Sequence, residues 1–575
     1  MNTGGGHGIL KSSLGVSAAT LLSRVLGLVR VMLEARVLGG DAIASAWGLA
    51  FAIPNTFRRL LGEGALGTAL IPLISETDAK SGPEQVRREL GIVFSVLSLI
   101  LALVVAVVAG GALGLRRLAL TGSVQEFLPV LASERVQLAL MILPLLMPYA
   151  FFICLVGAIG AVLNTRKIFV LPALGALLLN FFLIGGLYAA FRRGLAGTEL
   201  VGFLEFLSVL VLISGAIQLA LMLLLLWKAG RFPAMSRKAF RESGILGRLW
   251  RLVLPGMIGG AALQISFLVD RALAICLGPK AVPALNYVDR IIDLPIGIYA
   301  IALGSVLTAT MSRAAARGNL DEISHDLTFS LRHVYFLCVP MAVGVIFFWE
   351  PMIRILCLGG NYTEEDLMAA RMVAIFYGAG IPAFCSIKVL LAPFNARKMM
   401  MTTLRYSLIA IGCNIVLNLI LMWHLKQGGI ALSTVLASML NNTLLLRHLQ
   451  KEGIPLGSRS IIRTFARSLG VALAAGTLLY KGDGTELSTM IAGDNLPDVI
   501  TLTDESTRIQ LFESYDDEKY LYSITDLANV YAPSLNKRIP SDASLYLSAS
   551  DQRDILLLGA ATVLGSTLNK LVSFV

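Results

Sequence analysis

Charge is scarce in this chain. Only 15% of its 575 residues are Asp, Glu, Lys or Arg, where soluble domains carry about 25%. With 56% apolar residues and a mean hydropathy of +0.76, this excludes an ordinary water-soluble enzyme and any disordered or collagen-like chain. Histidine is also sparse. His7, His325, His333, His424 and His448 all fall at helix ends or in loops, so a histidine proton relay is not expected. Cys154, Cys276, Cys338, Cys357, Cys385 and Cys413 lie mostly in apolar stretches without zinc-type spacing and read as small core hydrophobes. No G-x-x-x-x-G-K-[ST] loop, no HExxH and no nucleophile–base pair occurs, so neither ATP hydrolysis nor enzymatic catalysis is expected. The Gly-rich start, Met1 to Lys11, runs straight into a long first helix, so no cleavable signal is expected.

What remains is an all-α polytopic membrane protein. Apolar runs long enough to cross a bilayer, roughly 20 residues each, fall at about 12–37, 41–75, 90–115, 135–163, 168–191, 203–227, 252–277, 285–312, 328–349, 368–394, 402–423, 429–446, 462–481 and 554–575. The last is interrupted by Asn569 and Lys570. Lys and Arg gather after even-numbered spans: Lys80, Arg87 and Arg88; Arg166 and Lys167; Lys228 to Arg251; Arg397 and Lys398; Lys451 and Arg459. Arg116, Arg117, Arg192 and Arg193 are exceptions after odd ones. This alternation puts the N-terminus in the cytoplasm. It also accounts for the net charge of +11 without a nucleic-acid partner.

An internal repeat divides the spans. Asn164-Thr165-Arg166-Lys167 separates spans 4 and 5, and Asn395-Ala396-Arg397-Lys398 separates spans 10 and 11. Each follows a Pro-containing helix and precedes a helix bearing Asn (Asn180; Asn414 and Asn418). A weaker echo relates Leu38-Gly39 and Pro54 to Leu277-Gly278 and Pro295. The expected architecture is two pseudo-symmetric six-helix lobes, 1–227 and 252–447, joined by a basic cytoplasmic linker, 228–251. A helix 13 region (448–481), a polar extracytoplasmic segment (482–553) and a candidate fourteenth helix (554–575) follow. Transporters built this way bind substrate between the halves and rock around it.

Ionisable residues deep in helices point to that site, because each costs roughly 2.5–3.5 kcal/mol at mid-bilayer on insertion scales. Span 1 holds Arg24, Arg30 and Glu34; span 2 holds Arg58, Arg59 and Glu63; span 8 holds Asp289, Arg290 and Asp293; span 10 holds Lys388. Arg30 with Glu34 and Arg59 with Glu63 are spaced for helix-face pairs; Arg271, near a helix end, is expected to snorkel to the interface. The excess of arginine in both halves predicts a cationic central cavity. Guanidinium never deprotonates and offers a planar fork to phosphate oxygens, so the cavity suits a diphosphate. A second constellation joins Asp270 in span 7 with Asn414 and Asn418 in span 11 and Thr434 in span 12. One carboxylate with amide and hydroxyl oxygens suits a hard cation such as Na⁺; interhelical hydrogen bonding is the alternative.

Ser23-Arg24-Val25-Leu26-Gly27, Arg30, Pro54-Asn55-Thr56-Phe57-Arg58-Arg59-Leu60 and Gly62-Glu63-Gly64-Ala65 resemble the opening of the MurJ/MviN family, the lipid II flippases of the MOP superfamily. Tyr287-Val288-Asp289-Arg290, Pro295-Ile296-Gly297 and Ala302-Leu303-Gly304 resemble that family's eighth helix. The resemblance covers about residues 8–480. It implies fourteen helices, two six-helix lobes and a C-terminal pair forming a groove for a prenyl tail. It implies lipid II, a polyprenyl diphosphate carrying the peptidoglycan precursor, as substrate, and alternating access in the bacterial cytoplasmic membrane. The diphosphate falls to Arg24, Arg30, Arg58 and Arg290, with Arg59, Glu63, Asp41, Asp289 and Lys388 supporting or gating. No cofactor is implied beyond Na⁺ or membrane-potential coupling; the implied partners are lipid II, membrane lipids and cell-wall synthesis proteins. The sequence departs from the family at Ser45, where an Asp is usual and Asp41 is the substitute, and at Ala52 and Ala309.

Two C-terminal stretches, Met490 to Ile500 and Ile524 to Ser534, resemble extracellular solute-binding proteins of ABC importers over about 70 residues. They fit a degenerate fused fragment, a small external domain or a join of two sequences. Competing functions are export of another polyprenyl-diphosphate-linked glycan of O-antigen type, cation-coupled drug export, or a membrane sensor using the external segment.

Overall fold

The structure, a computed structural model, describes residues 22–62, 65–119, 129–166, 168, 170–234, 244–397, 399–454 and 457–481. The polar segment, the candidate fourteenth helix and Glu63 lie outside these residues, as does the first part of span 1. The first described helix, α1, covers 22–38. The sequence implies one helix over 41–75. Instead α2 (Ala42–Phe57) gives way to a π-helical turn (Arg58–Gly62), and α3 (Ala65–Ala119) begins after it. Pro54 near the end of α2 explains part of this, since it removes a helix hydrogen bond. Within α3, Gly82 takes φ +78° immediately before Pro83. That left-handed residue divides the tail of span 2 from span 3.

The later helices follow the apolar runs closely: α4 (Glu134–Thr165), α5 (Val170–Arg193), α6 (Glu199–Lys228), α7 (Ile245–Leu277), α8 (Ala281–Ala316) and α9 (Leu320–Phe347). A short amphipathic helix that the apolar runs do not announce, α10 (Trp349–Cys357), precedes α11 (Glu364–Ala396), α12 (Met400–Leu425), α13 (Gln427–Lys451) and α14 (Ser458–Lys481). Two helix starts carry side-chain caps. Asn319 accepts from the Glu322 amide, and Thr363 with Asp366 forms a capping box on α11. Seven described helices (α3, α4, α6, α9, α11, α12 and α13) are long and apolar enough to cross a bilayer. Exposed side chains such as Leu99, Leu103, Phe336, Val416 and Trp423 give them a lipid-facing surface.

The repeat is visible in the packing. In the first half α4 lies against α2, α3 and α6; in the second α11 lies against α8, α9 and α13. These central helices are the ones that end at the two Asn-x-Arg-Lys turns, and each contains two prolines. Their most apolar windows are 61% and 67% buried, more than those of the other five, as expected of helices surrounded by neighbours. Helix α7 joins the halves. Its start, with Ile245 and Val253, packs into the first-half cluster of Leu90, Val93, Leu163 and Leu226, while its later turns lie against α12. Ile245 lies inside the stretch read as linker.

Polar contacts close both ends. At the Arg166 end, buried Arg231 donates to both Asp78 oxygens at 2.6 and 2.7 Å. Arg248 pairs with Glu89 at 3.2 Å, and the Ala234 amide donates to Arg87 at 2.9 Å. At the Gly39 end the two halves meet directly. Asn361 donates from its side chain to the carbonyls of Val37 (2.7 Å) and Leu195 (2.9 Å), and from its backbone to Arg36 (2.8 Å). Tyr287 donates to Gly39 at 2.9 Å, Arg36 to Ile355 at 2.9 Å, and Ser45 to Pro279. Beside this seam, the Lys280 ammonium holds the Glu365 carboxyl below its ordinary range through a 2.7 Å hydrogen bond.

Candidate functional site

Below that closure the cationic side chains of both halves converge. Arg30, 9% exposed, pairs with Glu34 at 3.3 Å and donates to Asn180 of α5 at 3.3 Å. The Asn180 amide also donates to the Ser23 carbonyl at 3.3 Å, fixing α1 on α5. Phe51, stacked on Trp47, lies 5.9 Å beneath the Arg30 guanidinium. The π turn presents the next two arginines. Arg58 donates to Asn55 at 2.9 Å, and Arg59 sits 5.7 Å over the ring of Phe267 on α7. From α8, Arg290 approaches Asp293 at 4.0 Å, and Arg24 donates to the Asp293 carbonyl at 3.4 Å.

These groups act on one another's charge. Arg30 feels Arg58 and Arg290; Arg59 feels Arg58, Arg290, Asp289 and Asp293; Asp293 feels Arg24, Arg59 and Arg290. The expected arginines are therefore brought together across the two halves. Among the described residues, guanidinium groups there outnumber carboxylates, leaving a net positive field. Such a field favours a multiply charged anion with several acceptor oxygens.

Arg271 does not snorkel. It is 2% exposed, 3.7 Å from Asp289 and 4.5 Å over the Phe267 ring, with Tyr377 of α11 beside it. A carboxylate on α8 and a ring on its own helix hold the guanidinium, so it has no need to reach the interface. Of the supporting residues, Asp289 joins the arginine group through Arg59 and Arg271. Asp41 instead lies exposed before α2 at the Gly39 end, within electrostatic reach of Lys280. Lys388 lines a cavity in the second half that Asp289 and Asp293 also border.

That cavity, of about 400 Å³, is lined by Asp270, Arg271, Asp289, Tyr377 and Lys388, and it adjoins the second expected constellation. Asp270 accepts from Asn418 at 2.6 Å and from Thr434 at 3.4 Å. Asn414, with its amide nitrogen turned toward the carboxylate, donates to Asp270 at 3.1 Å. The Asn418 amide oxygen is buried without a hydrogen-bond partner, so its lone pairs are free to accept a hydrogen bond or ligate a cation. Among the described residues no three His, Cys, Asp or Glu side chains converge. In this geometry amide N–H and hydroxyl groups satisfy the carboxylate, as in interhelical hydrogen bonding; the same residues would offer a hard cation one carboxylate and neutral oxygens if the amides turned.

Sequence reasoning did not single out Phe267 or Asn361. Neither carries a signal in its neighbours: Phe267 is one aromatic in an apolar helix, and Asn361 follows a Gly-Gly turn that reads as a loop.

A family model described as "Lipid II flippase MurJ" matches residues 34–491. A probable lipid II flippase MurJ of Vibrio cholerae serotype O1 is 31% identical over 83% of this chain and 89% of its own. A lipid II flippase MurJ of Burkholderia cenocepacia is 30% identical over 82% and 90%. Among solved structures, lipid II flippase MurJ in an inward closed conformation aligns with a TM-score of 0.66 at 23% identity, over 83% of this chain and 95% of that one. An inward-facing multidrug resistance MATE transporter of the MOP superfamily aligns at 0.56 and 15% identity, over 75% and 98%. With the fold, the convergent arginines and the family model in agreement over most of its length, this chain belongs to the MurJ lipid II flippase family.

Proposed function

We propose that the protein moves lipid II from the inner to the outer leaflet of the bacterial cytoplasmic membrane by alternating access. The observation that carries this reading is the convergence of Arg24, Arg30, Arg58 and Arg290 from α1, the π turn and α8. The diphosphate is the feature of lipid II that such a group recognises. Each charge-assisted hydrogen bond to it contributes about 1.5–3 kcal/mol, and the uncharged prenyl tail stays in lipid. Arginine-rich loops put the Arg166 end in the cytoplasm, so the seam at Asn361 faces outward and the site is loaded from inside. Outward release requires that seam to part. Arg59 and Asp289 tune the field, while Lys388 serves the second-half cavity.

Asp270, Asn414, Asn418 and Thr434 would hold Na⁺, which supplies a charge that responds to the sodium gradient and to the membrane potential. A potential of 100 mV provides about 2.3 kcal/mol per charge moved. Cell-wall synthesis proteins that consume the exported precursor are its functional partners.

Depletion rescue tests this. The chain is expressed in a bacterium whose own lipid II flippase is switched off, and externally accessible lipid II is assayed. Rescue that is lost in Arg58→Ala and Arg290→Ala supports the reading. Normal activity of the four single Ala variants at Arg24, Arg30, Arg58 and Arg290 removes the diphosphate assignment. Good membrane expression without rescue, with and without residues 482–553, transfers the function to another lipid-linked glycan.

A further inference from the structure

Arg271 stands between the two sites, beside Asp289 and Asp293, which line the second-half cavity and also face the arginine group. Arg271 follows Asp270 in α7, yet its guanidinium pairs with Asp289, which precedes Arg290 in α8. Asp270 in turn feels both Arg271 and Asp289. The Phe267 ring lies 4.5 Å from the Arg271 guanidinium and 5.7 Å from that of Arg59 of the first half. A run of alternating charge thus leads from the oxygen cluster to the arginine group: Asp270, Arg271, Asp289, Arg290, Asp293, Arg24. Asp270 and Arg271 are buried, whereas the Asp289, Arg290 and Asp293 side chains are 37%, 35% and 51% exposed, so charges interact most strongly at the Asp270–Arg271 end of the run.

We propose that Arg271 is a positioning residue that links cation occupancy at Asp270 to anion affinity at the arginine group. With no cation bound, Arg271 is shared between Asp270 and Asp289, and Asp289 has charge to spare for Arg59 and Arg290. A cation neutralises Asp270. Arg271 then bears wholly on Asp289, less negative charge reaches Arg59 and Arg290, and the anion site becomes more positive. Cation binding therefore tightens binding of a phosphate-rich anion, and by thermodynamic reciprocity the anion tightens the cation by the same factor.

This rests on the transport reading and on the oxygen cluster as a cation site, and its test separates the three. Lipid II affinity of the purified full chain is measured in NaCl and in N-methylglucamine chloride at equal ionic strength. The inference expects about tenfold tighter binding in sodium, within the usual range of site–site coupling. Arg271→Gln removes the sodium effect and Arg271→Lys restores part of it. Asp289→Asn breaks the same link from its more exposed side, so the result does not depend on Arg271→Gln folding. A merely structural Arg271 would alter stability in both salts without changing the ratio of the two affinities. The inference is overturned if the parent chain binds lipid II equally in both salts, or if the ratio survives in Arg271→Gln and Asp289→Asn. Equal binding in both salts leaves the transport reading intact, whereas absence of lipid II binding in either salt overturns both. Sodium-dependent thermal stabilisation without any change in lipid II affinity leaves the cation site in place and removes only the link.

Discussion

The side-chain amide of Asn361 donates to the carbonyl of Val37 at 2.7 Å, across 324 positions of sequence. With its second bond to Leu195, at 2.9 Å, this one side chain ties the α10–α11 loop to two elements of the other half. Replacing it with Ala removes both bonds, each worth about 0.5–1.5 kcal/mol net. Asn361→Ala is expected to shift the molecule toward the outward-open state by roughly 5- to 150-fold. Spin-label distances between the two halves at the Gly39 end would show this as a longer-distance population.

Gly360 and Gly82 both take positive φ, +60° and +78°, yet their surroundings differ. A Cβ at Gly360 would strike the Arg36 carbonyl, whereas one at Gly82 meets nothing within 4 Å. Gly82→Ala should therefore cost only the backbone strain of its extended, positive-φ conformation, about 1–3 kcal/mol. Gly360→Ala should in addition prevent closure of the seam. The same distance measurement, with thermal unfolding of both variants, separates the two effects.

Arg58→Ala should lower lipid II affinity by 10- to 100-fold and abolish rescue of a flippase-depleted strain, from the loss of one charge-assisted contact of about 1.5–3 kcal/mol. Arg58→Lys keeps the charge but not the fork, and should fall between the parent and Ala. Binding titration of the two variants against the parent checks the order.

Arg231 is buried and bonded to both oxygens of Asp78. Asp78 is 29% exposed and also lies 3.7 Å from Arg166, so losing Arg231 costs the charge-assisted contact, about 1.5–3 kcal/mol, rather than leaving an unpaired buried charge. Arg231→Ala should unfold at distinctly lower temperature than the parent. Asp78→Ala combined with Arg231→Met should recover much of the loss.

Asp270→Asn removes the single carboxylate of the oxygen cluster. Sodium should stabilise the parent protein by about 2.7 kcal/mol when present at a hundred times its Kd, and the variant should show no such gain. Melting curves in sodium and in N-methylglucamine provide the measurement. Equal shifts in both proteins would place any sodium effect elsewhere.

The spans were legible because a bilayer demands some twenty apolar residues at a time, and composition alone reports that. The repeat was legible too, since Asn164-Thr165-Arg166-Lys167 and Asn395-Ala396-Arg397-Lys398 mark the ends of the two central helices. The arginines stood out because charge in an apolar run is costly and so carries information. The break after Phe57 was harder to see. Pro54 hints at it, but a π turn also depends on contacts from neighbouring helices, such as the Cys154 thiol of α4 donating to the Phe57 carbonyl, which no local pattern records.

Local sequence thus determined the membrane class, the helices, the two-part repeat and which residue types are candidates for the two proposed sites, because hydropathy, helix-breaking residues and charge are properties of short segments. Only the tertiary structure decided which charges meet. Arg271 near the end of a helix could equally have reached the interface; it is buried because α8 sets Asp289 against it and Phe267 lies beneath it. Asn361 became a latch only when its loop met Val37 and Leu195. Electrostatics and hydrogen bonding act over a few ångströms of space, and distance along the chain does not record them.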